Sequence, residues 1–171
     1  MLLLLDSSVI IAFMTEMDDG EYLRALSLRG FKLVVTDGVL HEVKKEPGIS
    51  RLRKAIKEKW IEVQLTSKTE YEFFKKRYPM LDYAEVEIIQ KGIELKYSNV
   101  DYCCVLDEGA GRRVADGLGL SKTDTEGLLS KMNHLGVVDA AIKKKLLNKL
   151  GQSTFRSSGL NASVRDDQAY R

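Results

Sequence analysis

Proline is scarce in this chain: two in 171 residues, Pro47 and Pro79. Neither interrupts an apolar periodic stretch, so both mark connections between elements. Cysteine is equally scarce. Cys103 and Cys104 are neighbours in an apolar run, which excludes a disulfide framework. Without further Cys or a nearby His it also excludes a thiolate metal site, and the pair reads as buried thiols in a reducing cytoplasm. The two histidines, His41 and His134, stand far apart without metal-ligand spacing. Charge of one sign is missing too: 27 basic and 25 acidic side chains leave a net charge of +2. A nucleic-acid footprint is therefore absent from the total and must lie in local patches. No apolar run approaches the length of a membrane span. The opening "MLLLLD" lacks a basic n-region before it and a small-residue cleavage site after it, so it does not read as a signal peptide. A cytoplasmic protein is expected.

What remains is an ordinary globular composition, 44% hydrophobic and 30% charged, in a length that suggests one domain with a real core. Leu2–Leu5 reads as a fully buried parallel strand, with Ser7 or Ser8 capping a helix from near Val9. Glu21–Arg29 reads as an amphipathic helix ending at Gly30, and Lys32–Asp37 as a second strand. Asp37 then caps a helix through Lys45, and Arg51–Lys59 is a basic helix. "WIEVQLT" alternates like an edge strand. Helices are predicted over Lys68–Tyr78 and within "LDYAEVEIIQKGIELKY", followed by a fourth strand, Asp101–Asp107. Gly111–Leu118, Glu126–His134 and Asp139–Leu150 complete the helices. The pattern predicts an α/β domain over residues 1–150, a three-layer α/β/α sandwich around a mostly parallel sheet of four to five strands. Residues 151–171 read as a weakly structured tail.

Acids gather where the strands end, and in parallel α/β sheets sites form beyond the carboxyl ends of the strands. Asp6 follows strand one, Asp37 strand two, and Asp107 with Glu108 strand four. Asp82, Glu85 and Glu87 open the helix that leads into strand four. Capping accounts for several singly: Asp37 as an N-cap, Asp82 with Glu85 as a capping box, and Glu87 as a solvated helix residue. It does not account for Glu42, which lies mid-helix among Val39, Leu40 and Val43. A carboxylate that close to the core costs free energy unless it is paired or bound to a cation. Oxygen donors without His or Cys select Mg²⁺ or Mn²⁺, and such ions suit phosphodiester hydrolysis.

Five segments occur in order: the apolar strand closing in "DSS", "VVTDGVLHEV", "LDYAEVEII", "VLDEGAGRRVADGLGL" and "TEGLLSKMNHLGVV". Together they resemble the PIN-domain metal-dependent ribonucleases, in their archaeal and bacterial VapC-toxin-like branch. The resemblance covers roughly residues 2–150. It implies a sheet with strand one in the middle, catalytic and metal-binding roles for Asp6, Glu42, Glu85 and Asp107, and a supporting hydrogen bond from Ser8. It also implies endonucleolytic cleavage of single-stranded RNA, a homodimer and, in a toxin role, a small antitoxin protein as partner. Two departures stand out. Ala84 replaces a usual Gly, which leaves Asp82 open as the ligand in place of Glu85. Asp124 replaces a usual Gly before Thr125. The fourth ligand stays open between Asp107 and Glu108, with Asp107 preferred because it ends the strand.

Basic groups to hold an RNA backbone stand at Lys44–Lys45, Arg51–Lys59, Arg112, Arg113 and Lys143–Lys145. Arg112 and Arg113 have the best placement for a phosphate, one turn after Asp107. Two other readings compete. A phosphatase or phosphotransferase would use Asp6 as nucleophile, but Ser8 stands where the usual second Asp would be. A catalytically inert interaction protein would keep the fold without turnover.

Overall fold

The computed structural model of the chain describes residues 1–17 and 20–152. Five strands, β1 (Leu2–Leu5), β2 (Lys32–Thr36), β3 (Ile61–Gln64), β4 (Tyr102–Val105) and β5 (Lys122–Thr123), form one sheet in the order β3-β2-β1-β4-β5. Every adjacent pair is parallel. The four leucines of β1 explain themselves in this setting. Successive side chains of a strand point to opposite faces, and all four are buried. Both faces of the sheet are therefore covered, which makes the architecture three-layered. β3 keeps the alternation of an edge strand, with Ile61 buried and Glu62 exposed.

The helices among the described residues are α1 (Ser7–Ile11), α2 (Glu21–Leu28), α3 (Asp37–Glu42), α4 (Gly48–Lys57), α5 (Lys68–Arg77), α6 (Tyr83–Tyr97), α7 (Gly109–Gly117), α8 (Thr125–His134) and α9 (Ala140–Gly151). α1 runs on into a π-helical turn, Ala12–Glu16. α6 carries the centre of the packing. Its segment Ala84–Gln90 is buried throughout, and the helix rests on β1, β2 and β4 and against α3, α5 and α7.

Several boundaries differ from the sequence reading. α1 starts at Ser7, with Asp6 rather than a serine in the cap position. Thr36, not Asp37, holds the cap position of α3, and Asp37 is the first helical residue, paired with His41 across one turn at 3.3 Å. α3 stops at Glu42, three residues short of Lys45, and α4 begins at Gly48, three before Arg51. β5 has only two residues, too few for any periodicity to announce it. Gly30 and Gly119 take the positive φ that closes α2 and α7. α9 extends through Gly151, and the tail expected at 151–171 lies outside the described residues from 153 onward. Among the described residues no helix is long and apolar enough to cross a membrane.

Topology now fixes where chemistry can gather. From β1 the chain steps outward through β2 to β3, then returns to the other side of β1 for β4 and β5. The order reverses between β1 and β4, and a crevice opens beyond the carboxyl ends of strands at such a switch point. Asp6 leaves β1 and Asp107–Glu108 leave β4 at that place.

Candidate active site

Asp6 is 1% exposed, at the floor of the crevice. Its Oδ2 accepts a hydrogen bond from the Ser8 hydroxyl at 2.9 Å. The residue stands in the cap position of α1 but makes no side-chain cap bond, and its Oδ1 is buried without a hydrogen-bond partner. The carboxylate that breaks the leucine run therefore does not serve as a helix cap. Burial, with the charges of Asp82 and Glu85 adding to it, pushes its pKa well above the usual carboxylate range.

The N-terminus of α6 supplies two more acids. Asp82 and Glu85 form the expected capping box: Asp82 Oδ1 accepts the Glu85 N–H at 2.7 Å, and Glu85 Oε2 accepts the Asp82 N–H at 3.1 Å. The other oxygen of Glu85, Oε1, accepts the N–H of Gly111 in α7 at 2.9 Å. Burial raises Asp82 to about 6, with Glu42 and Glu108 contributing charge repulsion and Lys75 opposing it. Burial and then the charge of Asp82 raise Glu85 to about 7. Lys75 also donates to the carbonyls of Pro79 (3.1 Å) and Leu81, which ties down the loop that carries Asp82.

Carboxylate oxygens of Asp82, Glu85 and Glu108 lie within 4.8 Å of one another. Glu108 holds the cap position of α7 without a side-chain cap bond and is exposed. Glu42, at the end of α3, reaches across to accept the Ala84 N–H at 3.0 Å, which brings it to the same helix start. Of the four expected ligands, Asp6, Glu42 and Glu85 thus converge. Asp82 joins them beside Glu85 rather than instead of it.

Asp107 is placed differently. Its two oxygens accept the N–H and the hydroxyl of Thr125 at the start of α8, each at 2.7 Å. Between the two acids after β4, it is Glu108 whose oxygen lies with Asp82 and Glu85. The arginines divide as well. Arg112 is bound to Asp124 at 2.7 Å, and Asp124 caps α8 through the Gly127 N–H, so the acid that departs from the family pattern carries a structural load. Arg113 is exposed, and its Nη1 lies 3.2 Å from where a Cβ of Gly109 would sit. The guanidinium is thereby folded over the first residue of α7, beside Glu108.

Glu87 corrects another expectation. It is 2% exposed rather than solvated: Oε2 accepts the Gly38 N–H at 2.6 Å and Oε1 the Thr66 hydroxyl at 2.5 Å. It clamps α3 and the segment after β3 to α6. Gly111 was not singled out from sequence, although the Gly-Ala-Gly run at 109–111 carried the signal. A Cβ there would collide with the Glu85 carboxylate, so only glycine lets α7 come this close.

The carboxylates of Asp82, Glu85 and Glu108 gather here and repel one another, and one buried oxygen of Asp6 has no hydrogen-bond partner among the described residues. That set fits a hard divalent cation such as Mg²⁺ or Mn²⁺. A family model described as DUF3368, a PIN domain, matches residues 2–163. No curated protein and no solved structure matches the chain.

Proposed function

The chain belongs to the PIN-domain family, and from that premise we infer that it is an Mg²⁺- or Mn²⁺-dependent endoribonuclease acting on single-stranded RNA. The observation that carries this reading is Asp6, a buried carboxylate with one oxygen unpartnered and under the charges of Asp82 and Glu85, which themselves converge with Glu108. Leaving such a group unpaired costs about 1–3 kcal/mol even when it is neutral, and more when charged. A bound cation removes that cost.

In this reading Asp6, Asp82, Glu85 and Glu108 hold the metal, with Glu42 adjacent. When bound, the ion activates water and stabilises charge developing on the scissile phosphate. The protein's own groups do the rest. Ser8 fixes the orientation of Asp6 by its hydrogen bond. The Ala84 N–H holds Glu42, and the Gly111 N–H holds Glu85, so the carboxylates are set before any ligand arrives. Arg113, at the rim, binds a phosphate of the strand. An aspartyl-phosphate route fits less well, because Ser8 stands where the second Asp of such a site would be. The homodimer, the toxin role and the antitoxin partner belong to this reading through the family resemblance, and a small overlapping reading frame would favour the toxin role.

The test is end-labelled RNA incubated with the protein and Mn²⁺, followed by analysis of the termini. The expected products carry 5′-phosphate and 3′-hydroxyl ends and disappear in EDTA and with Asp6→Asn. Cyclic-phosphate ends, or cleavage that survives EDTA, would overturn the reading, because a 2′-hydroxyl route needs acid–base groups such as His. His41 is engaged with Asp37.

A further inference from the structure

Beside Glu108, the α5–α6 loop and α7 enclose a cleft of about 370 Å³ lined by Tyr78, Met80, Ala110, Arg113, Val114 and Gly117. That volume falls within the ~300–1,000 Å³ of small-ligand sites. Its two walls differ in origin. Ala110, Val114 and Gly117 recur at i, i+4 and i+7 and so share one stripe of α7. Tyr78 and Met80 face them from the loop, and Met80 is 63% exposed, an apolar side chain left in water at the edge of a charged site.

The Tyr78 ring is held in place. Phe74 stacks on it at 6.1 Å, and the Arg77 guanidinium lies 5.6 Å from its centroid while Arg77 Nε donates to its hydroxyl at 3.3 Å. Arg113 lines the same cleft and, unlike Arg112, makes no ion pair with an acid among the described residues. The cleft thus joins apolar walls to one guanidinium group, that of Arg113, while Arg77 lies against the Tyr78 ring.

We propose that this cleft is a subsite for one unpaired nucleotide beside the scissile phosphate. Its base packs between Tyr78–Met80 and the α7 stripe, and its phosphate is taken by Arg113, with Arg77 flanking. The proposal rests on the nuclease reading and gives a reason for single-strand specificity. A base paired and stacked in a duplex cannot enter the cleft, whereas an unpaired base gains the aromatic contact. Guanidinium groups suit phosphate through paired N–H donors.

Fluorescence anisotropy of a short labelled RNA tests it, with Ca²⁺ in place of Mn²⁺ and the RNA checked for integrity afterwards. Tyr78→Ala is expected to weaken single-strand binding about tenfold and to leave the salt dependence unchanged. Arg113→Gln is expected to weaken binding and to lower the slope of log K against log salt by about 0.7, the loss of one phosphate contact. Gly117→Leu guards against a folding defect, since a Cβ at Gly117 meets nothing within 4 Å. It should block the cleft and match the Tyr78→Ala loss. Duplex RNA should respond to neither Tyr78→Ala nor Gly117→Leu, and 2-aminopurine in the single strand should be quenched on binding by wild type but not by Tyr78→Ala. Wild-type binding by both cleft variants, equal losses on duplex, or no RNA binding by the wild type would overturn the subsite. If Mn²⁺-dependent cleavage occurs while the cleft variants bind normally, the subsite alone falls. If the binding pattern holds and no cleavage is found, the nuclease reading falls, and the cleft is a single-strand binding site with no scissile phosphate beside it.

Discussion

Glu85 and Gly111 fix each other's position. The carboxylate of one accepts the N–H of the other at 2.9 Å, and the missing side chain of the glycine is what makes room for that carboxylate. Two helices from distant parts of the chain, α6 and α7, are joined at this contact, and through it Glu108 comes within reach of Asp82 and Glu85.

Gly111→Ala tests that contact directly. In a helix interior Ala is favoured over Gly by about 1 kcal/mol, so a glycine of no special role would tolerate the change. Here the new methyl must displace a carboxylate pinned by two N–H groups. The expected outcome is Mn²⁺ affinity lowered about tenfold by calorimetric titration, about 1.4 kcal/mol, with Tm moved by less than about 4 °C. Undiminished affinity would remove Glu85 from the ligand set.

Asp6→Asn separates function from stability. In EDTA the wild-type carboxyl can ionise only against burial and against the charges of Asp82 and Glu85, and the amide cannot ionise at all. The apo variant should melt at the same temperature or a few degrees higher, as expected where stability is traded for function. The stabilisation that Mn²⁺ gives the wild type should be lost. A lower apo Tm would assign Asp6 a structural role.

Asp107→Asn and Glu108→Gln should part company. Asp107 accepts two hydrogen bonds from Thr125, and an amide retains only one acceptor there, a loss of about 1–2 kcal/mol. Glu108 caps nothing, so its substitution should leave the melt nearly unchanged and weaken Mn²⁺ binding more than Asp107→Asn does. The reverse order in paired melts and titrations would favour Asp107 over Glu108 as the ligand.

The sheet was legible in the sequence because its signals are local: a four-leucine run for a strand buried on both faces, and alternation in "IEVQ" for the edge. That Asp6 and Glu42 come near the start of α6 was legible too, since each stands at a strand end or on a packed helix face. What was not legible depends on contacts far apart in the chain. Asp107 and Glu108 are neighbours with the same chemistry, and it takes Thr125, 18 residues on, to engage both oxygens of the first. Glu87 reads as a solvated helix acid until Gly38, 49 residues away, is found donating to it. Arg112 and Arg113 are indistinguishable until Asp124 pairs with the first.

Glu87→Ala follows from the same clamp. Removing the carboxylate leaves the buried Gly38 N–H without a partner and loosens the segment at Thr66, which should cost about 2–3 kcal/mol. Denaturant unfolding should show that loss, while Mn²⁺ affinity of the folded protein stays within about threefold of wild type. A small stability change would mean that water replaces the clamp readily.

The pH dependence of the metal-free protein has a definite sign. Asp82 rises to about 6 and Glu85 to about 7 in the fold, from ordinary values of 3.8 and 4.5. The folded state therefore holds these protons more tightly than the unfolded state does. Stability from this source is fully present below the unfolded pKa values and is lost as pH rises through the folded ones, between about 4 and 7. Burial of Asp6 acts in the same direction. Discounted for solvent screening at a partly open site, the loss from pH 5 to pH 8 is on the order of 1–2 kcal/mol, or about 2–6 °C in Tm. Mn²⁺ should reverse the trend, because the metal binds the deprotonated carboxylates and its affinity climbs over the same interval. Calorimetric scans at pH 5 and 8, with EDTA and with saturating Mn²⁺, give four melting temperatures. The expected pattern is a lower Tm at pH 8 in EDTA and a larger Mn²⁺-induced rise at pH 8 than at pH 5. If Asp82→Asn/Glu85→Gln keeps the same EDTA slope as the wild type, the protons are being released elsewhere, and the mutual repulsion of these carboxylates is not what sets the pH response.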